Sequence, residues 1–560
     1  MKKIFILLIL IVSCTSEKDK KTYDFTTAFE NSNGLETSTY QQTIQFYNNL
    51  VEAYPEISIQ AIGETDSGKP LHIVILNPDE EFNFPKIRQT KRILFINNCI
   101  HPGESDGIDA TQMLFRDLAN GTIEAPESTV IVTIPIYNIG GSLDRNTATR
   151  TNQNGPLEYG FRGNARNYDL NRDFIKCDTK NARTFTEIFH LVQPDVFIEN
   201  HVSNGADYQY TLTHLFTQHN KLGGDLGEFL QTVMMPQLEQ KLAEKEWDIT
   251  PYVNVFNKVP ENGFSQFLDS PRYSTGYTTL FNTLGMMVET HMLKPYKQRV
   301  EGTYELMESM LKITDENAET ISGIRQNAHL RYKPKDSYAL DWEVDTTKAT
   351  ILNFKGFEGN VITSEVTGMS RLKYDRTKPF TKKITYQNYF MPKIEVSNPD
   401  AYIIPQEWHA IIELLKRNKV EMIPFEKDTI ISVESYKIDS YETQTQAYEG
   451  HYQHYNTNVT PSNKEVTFKK GDYFISTGQK AVRYLMETLE PQAPDSFFNW
   501  NFFDTILQQK EGFSPYVWED KAKELLDNDP ELKSFFETKK YIDTSFANNW
   551  YAQLDWIFKK

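Results

Sequence analysis

Between residues 38 and 325 the chain alternates two hydrophobic periods. Tyr40, Ile44, Phe46, Tyr47 and Leu50 form a stripe at helical spacing, and Ile57 to Ile62 and Leu71 to Leu76 then read as two strands around a turn at Gly63 and Gly68. Arg92 to Asn98, Thr129 to Tyr137, Asp195 to Asn200 and Gly285 to Thr290 are further apolar, strand-like runs separated by helical stretches. Apolar strands interleaved with helices predict an α/β domain whose mixed, largely parallel central sheet is flanked by helices on both faces. We place this domain at residues 34–325, closed by a helix around Gln298 to Asn317. The texture then changes: residues 338–480 read as β-rich with one helical interruption from Trp408 to Lys416, and the chain turns helical again from about Phe497. This C-terminal region, residues 335–560, shows no internal repeat and no constellation that carries chemistry.

The N-terminus has a different pattern. Lys2 and Lys3 precede an unbroken apolar run from Ile4 to Val12, followed by Ser13 and Cys14, which are the three parts of a secretory signal. The run is too short to span a bilayer as a mature helix. Ile11-Val12-Ser13-Cys14 resembles the bacterial lipobox, which implies cleavage before Cys14, its acylation, and a lipid-anchored protein on the periplasmic or cell-surface face of a membrane. Each buried methylene of such a lipid contributes about 0.8 kcal/mol. Residues 15–33 are polar and charged and predict a flexible tether. With Cys14 set aside, only Cys99 and Cys177 remain, too few for a disulfide framework, and they read as two buried thiols whose pairing is open.

A formal net charge of -17 argues against nucleic acid as a partner, because phosphate recognition needs clustered Lys and Arg. An aromatic content of 13% suits large cores and surfaces that hold extended amphipathic ligands, peptides or glycans alike.

Candidate chemistry begins at Asn98-Cys99-Ile100-His101-Pro102-Gly103-Glu104. This segment leaves the strand Arg92 to Asn98 and enters a helix with Ile108, Phe115 and Leu118 on one face. A sharp turn through Pro-Gly puts His101 and Glu104 at the carboxyl edge of the sheet, where open α/β folds hold their ligands. His201 stands just past a second strand and reaches the same edge. A catalytic zinc needs three protein ligands and an open position, and two His with one Glu is a common set.

Asp169-Leu170-Asn171-Arg172 and Arg150-Thr151-Asn152-Gln153 lie between these ligands in sequence, and Met286-Met287-Val288-Glu289-Thr290-His291 follows. The ordered set His-x-x-Glu, Asp-x-Asn-Arg, His and a late strand Glu resembles the zinc carboxypeptidases of the carboxypeptidase A superfamily over roughly residues 38–310. The resemblance implies one zinc ion per chain on His101, Glu104 and His201, with Asp169 orienting the first His through its other ring nitrogen. It implies that Asn171 and Arg172 take the free terminal carboxylate of a peptide substrate, a task suited to the planar fork of Arg. Arg150, rather than Arg145, matches the residue that polarises the scissile carbonyl. Glu289 matches the general base that takes a proton from zinc-bound water. Tyr273 and Tyr277 are candidates for the family's Tyr that closes over the substrate, and the separation from Glu289 favours Tyr277. Period-2 alternation puts His291 on the face of Glu289, where it touches substrate, orients the base or is structural.

Three functions share these residues: a carboxypeptidase, a zinc amidase acting on γ-D-glutamyl or other cell-wall peptide bonds, and a non-catalytic surface lipoprotein that binds peptide or glycan.

Overall fold

The computed structural model describes residues 23–560, so the signal segment and Cys14 lie outside the described residues. Nine strands organise the first part: β1 Ile57–Glu64, β2 Pro70–Leu76, β3 Arg92–Asn97, β4 Thr129–Ile134, β5 Val196–Ser203, β6 Leu212–Phe216, β7 Ile249–Pro251, β8 Phe264–Ser265 and β9 Leu284–His291. All but β8 form one sheet in the order β1-β2-β4-β3-β5-β9-β6-β7. Its centre, β4-β3-β5-β9, is parallel, whereas β1-β2, β2-β4 and β9-β6 are antiparallel.

Alternation along the central strands sends side chains to two covered faces. Leu94, Ile96, Val196, Ile198, Met286 and Val288 join one core with residues of helices Tyr40–Ala53, Asp106–Ala119 and Tyr296–Glu316. The intervening Phe95 and Phe197 meet Phe185 of helix Lys180–Val192 on the other face, at ring separations of 6.0 and 6.2 Å. Caps fix where these helices begin: Thr39 and Gln42 form a reciprocal capping box, and Thr179 accepts from the Ala182 amide.

Residues 23–33 depart from the expected tether. Thr27 caps a short helix, Ala28–Asn31, Phe29 is buried in the main core, and Glu30 pairs with Arg116 at 2.7 Å. A single buried aromatic residue anchors a stretch whose average composition is polar.

The chain divides into two compact units, one ending at Trp500 and one from Asn501 to Lys560. Residues 337–500 therefore belong with the large sheet, not in a separate body. Strand Ser370–Gln387 pairs with β8, and Phe354, Ile384 and Tyr386 share a core with Tyr208, Tyr210, Val253 and Phe264. The second unit packs helices Pro515–Asn528, Pro530–Ile542 and Trp550–Phe558 around Ala522, Phe536, Leu554 and Ile557. Among the described residues no helix is long and apolar enough to cross a membrane. Cys99 and Cys177 are both free and buried.

Candidate active site

On the face that carries Phe95 and Phe197, the side chains turn polar toward the carboxyl end of the sheet: Asn97 and Glu199, then His201 and Glu289. The register sets His201 directly opposite Glu289. β5 runs on to Ser203, so His201 lies within the strand and not beyond it. The His101 segment leaves β3 with Cys99 at φ +63° and is pinned by the segment that follows β4. The Tyr137 and Asn138 amides donate to Asn98 O and Cys99 O at 2.9 and 3.1 Å.

These backbone constraints bring three donors together. His101 Nδ1 is 3.1 Å from Glu104 Oε1, and His201 Nδ1 is 3.0 Å from Glu104 Oε2. All three residues are buried, and one ligand atom from each lies within 4.8 Å of the others. Donors of a tetrahedral zinc with bonds of about 2.0–2.1 Å are roughly 3.3–3.5 Å apart, so two imidazoles and a carboxylate at this spacing fit such an ion. Burial works to raise the Glu104 carboxyl. The His101 and Arg150 charges, with hydrogen bonds from His101 and His201, outweigh it and hold Glu104 well below the usual carboxylate range.

Asp169 sits behind His101, with Oδ1 2.9 Å from His101 Nε2 and 2.9 Å from the Asn171 amide. Its Oδ2 accepts from Arg162 Nε and Nη2 at 3.0 and 2.8 Å. Despite burial, the His101, Arg162 and Arg172 charges keep this carboxyl ionised far below its ordinary range.

A cavity of about 530 Å³ opens over the cluster. It is walled by Arg150, Arg162, Asn171, Arg172, Tyr273 and Glu289, and its apolar part by Leu215, Tyr252, Phe267 and Met287. Arg172 lies over the Tyr273 ring, 4.4 Å from its centroid. The carboxyl of Glu289 is pushed well above its ordinary value, first by burial and then by the Glu104 charge, with Arg150 and Arg162 opposing.

No protein-family model matches the chain, and no curated protein matches it either. Among solved structures it is similar to a metallo-carboxypeptidase from Burkholderia cenocepacia, at 17% identity and a TM-score of 0.39, over 50% of this chain and 70% of that one. A carboxypeptidase A from Helicoverpa armigera aligns at 12% identity and a TM-score of 0.38, over 50% and 74% of the two chains. A metallo-carboxypeptidase from Pseudomonas aeruginosa gives 12%, 0.37, 51% and 70% in the same order. With overlap this low, the chemistry has to be read from the side chains of this chain.

One sequence expectation changes and one open alternative narrows. Tyr277 is fully buried and packs against Phe174, Phe185 and Phe189, with its hydroxyl donating to Asn418 Oδ1 at 2.7 Å. It does not reach the cavity. Tyr273 does, because it is the extended N-cap of helix Ser274–Thr279 and its ring leaves the helix face that carries Tyr277 into the core. His291 is buried too, stacked 4.2 Å from Tyr208 with Nε2 3.3 Å from Asp207 Oδ1, and it does not line the cavity.

Arg145 bonds to Glu158 away from the cavity, whereas Arg150 lines it. Every nitrogen of Arg150 is engaged: Nε with Gln153, Nη1 with Glu104 at 2.8 Å and Nη2 with Val202 O. Arg162, which the sequence reading missed, also lines the cavity. Its Nε and Nη2 hold Asp169, while Nη1 stands 3.7 Å from Glu104. It sits in the irregular loop Gly160-Phe161-Arg162-Gly163, where no periodicity marks it; its place seven residues before Asp169 is the one available signal.

Proposed function

We propose that the chain is a zinc-dependent metallopeptidase of the carboxypeptidase type, hydrolysing C-terminal peptide bonds. The observation that carries this reading is the meeting, in one cavity, of a His-Glu-His donor set, a carboxylate opposite His201 in the sheet, and a guanidinium stacked on a tyrosine. Bound by His101, Glu104 and His201, zinc supplies a Lewis acid for the scissile carbonyl and makes water nucleophilic near neutral pH.

The protein's own groups do the rest. Glu289 accepts the proton of the attacking water and returns it to the leaving amine, a shuttle favoured by a carboxyl whose pKa is tuned upward. Arg172 and Asn171 receive the terminal carboxylate of the substrate. Arg162 directs Nη1 at the carbonyl oxygen as its charge develops. Arg150, saturated by its neighbours, instead orients Glu104. Asp169 fixes the tautomer of His101 by accepting from Nε2, so that Nδ1 faces the metal position.

The test is hydrolysis of paired peptides with free and amidated C-termini, each with and without a zinc chelator. Chelator-sensitive cleavage confined to the free acids is expected. Equal cleavage of amidated peptides would move the reading to an endopeptidase or amidase, and peptide binding without turnover to a binding lipoprotein.

The same proposal places the enzyme on a membrane through a lipid on Cys14. Cys14→Ser is expected to move the protein to the soluble fraction with its activity intact, and retention of the variant on washed membranes would count against the anchor.

A further inference from the structure

The second long hairpin of the C-terminal region pairs Thr429–Thr443 with His454–Phe468, and its last pair is Thr443 opposite His454. The connecting loop does not end in solvent. Tyr448 and His451 exchange backbone hydrogen bonds at 2.7 and 3.0 Å, and between them Glu449 and Gly450 have φ of +47° and +81°. Two positive φ values in a two-residue turn are the type I′ pattern, which favours Asn, Asp or Gly at the first position. Glu there is held at a conformational cost.

What that costly residue touches is the segment that carries Asn171 and Arg172 to the cavity. Glu449 Oε2 accepts from the Asp169 amide at 2.8 Å. Gly450 lies so close to Tyr168 that a Cβ would stand 2.5 Å from its hydroxyl. His451 Nε2 is 2.8 Å from Asp178 Oδ2, and Tyr448 stacks on Trp500 and lies under Arg272, the residue before Tyr273. One turn thus grips both segments that meet where Arg172 stacks on Tyr273.

We propose that the Tyr448–His451 turn is a positioning element of the terminal-carboxylate subsite, and that Glu449, through the Asp169 amide, holds the Asp169–Arg172 turn with Arg172 facing the cavity. This rests on the reading of Arg172 as the carboxylate receptor. The C-terminal region then takes part in substrate recognition although it contributes no cavity-lining side chain.

Two variants separate positioning from bulk stability. Glu449→Gly removes the carboxylate and also the cost of its positive φ, so the melting temperature is expected to hold. Glu449→Gln keeps an oxygen that accepts from the Asp169 amide. For peptides with a free C-terminus, Glu449→Gly should raise KM about five- to tenfold with kcat within about twofold, while Glu449→Gln stays within about twofold of the parent. Zinc per chain should be unchanged in both. Deuterium uptake over residues 167–174 should rise in the Gly variant and not in the Gln variant. Parent KM and parent uptake in Glu449→Gly would overturn the proposal, as would a joint fall of kcat, zinc content and melting temperature in both variants. If the parent protein cleaves no peptide, the peptidase reading falls, and the exchange measurement alone decides whether Glu449 holds the turn.

Discussion

The two walls of the cavity are built differently. His201 and Glu289 stand opposite each other in neighbouring parallel strands, spaced by their ladder, and His101 and Glu104 follow a third strand on a turn whose start is held by backbone bonds from Tyr137 and Asn138. Opposite them, Arg162 sits in an irregular loop, Asn171 and Arg172 in a single 3-10 turn and Tyr273 at a helix N-cap, held by side-chain bonds, stacking and a turn from a distant hairpin. A wall fixed by a ladder tolerates little adjustment. A wall assembled piece by piece has more freedom to adjust, although Asp169 ties it to His101.

The comparison breaks most sharply at the ligands. His201→Ala should reduce bound zinc to well below one per chain and take hydrolysis to background, measured by elemental analysis and peptide cleavage; full zinc content in the variant would remove the metal centre. Glu289→Gln comes next, with kcat lowered on the order of a hundredfold to ten-thousandfold while zinc and peptide binding persist. The parent's acid limb should sit above the ordinary Glu value of about 4.3, since the base acts only when deprotonated and its raised pKa moves protonation to higher pH. A Gln variant with parent turnover would exclude this carboxylate as the base.

On the opposite wall, apart from Arg162, whose proposed role at the carbonyl oxygen would show in kcat, effects should be smaller and fall on KM. Arg172→Ala should cost at least about tenfold in kcat/KM for free acids, the loss of a bidentate charged pair, and leave amidated peptides unchanged. Unchanged discrimination between the two substrates would show that the terminal carboxylate is read elsewhere. Smallest are the tyrosines. Tyr273→Ala removes a partly exposed cation-π contact of about 0.5–1 kcal/mol and should raise KM by roughly two- to fivefold. Tyr277→Phe should cost about 0.5–1.5 kcal/mol of stability and leave KM alone, as unfolding and kinetics measured together will tell.

The difference between the walls also explains what could be read from sequence. Strand periodicity located the elements that bear His101, His201 and Glu289 to within a few residues, because a buried parallel strand must be apolar and an ionisable residue in it stands out. The short strands β6 and β7 escaped, being five and three residues long with no distinctive pattern. On the loops, the family resemblance singled out Asn171 and Arg172, whereas separation from Glu289 preferred Tyr277 to Tyr273, because distance along the chain says nothing of an extended N-cap. Arg162 has no signal beyond its nearness in sequence to Asp169, and Glu449 has none. Their partner, Asp169, lies seven residues from one and 280 from the other.

Gly103, in the turn between His101 and Glu104, has a consequence for how this site changes over generations. A Cβ at that position would stand 2.2 Å from Arg150 Cδ, and Arg150 cannot retreat while Glu104, Gln153 and Val202 hold it. A larger residue at 103 therefore forces Arg150 off these partners, whereas a shorter side chain at 150 removes that clash. The two positions are thus sterically coupled, and a change at 150 that precedes one at 103 is the less costly order.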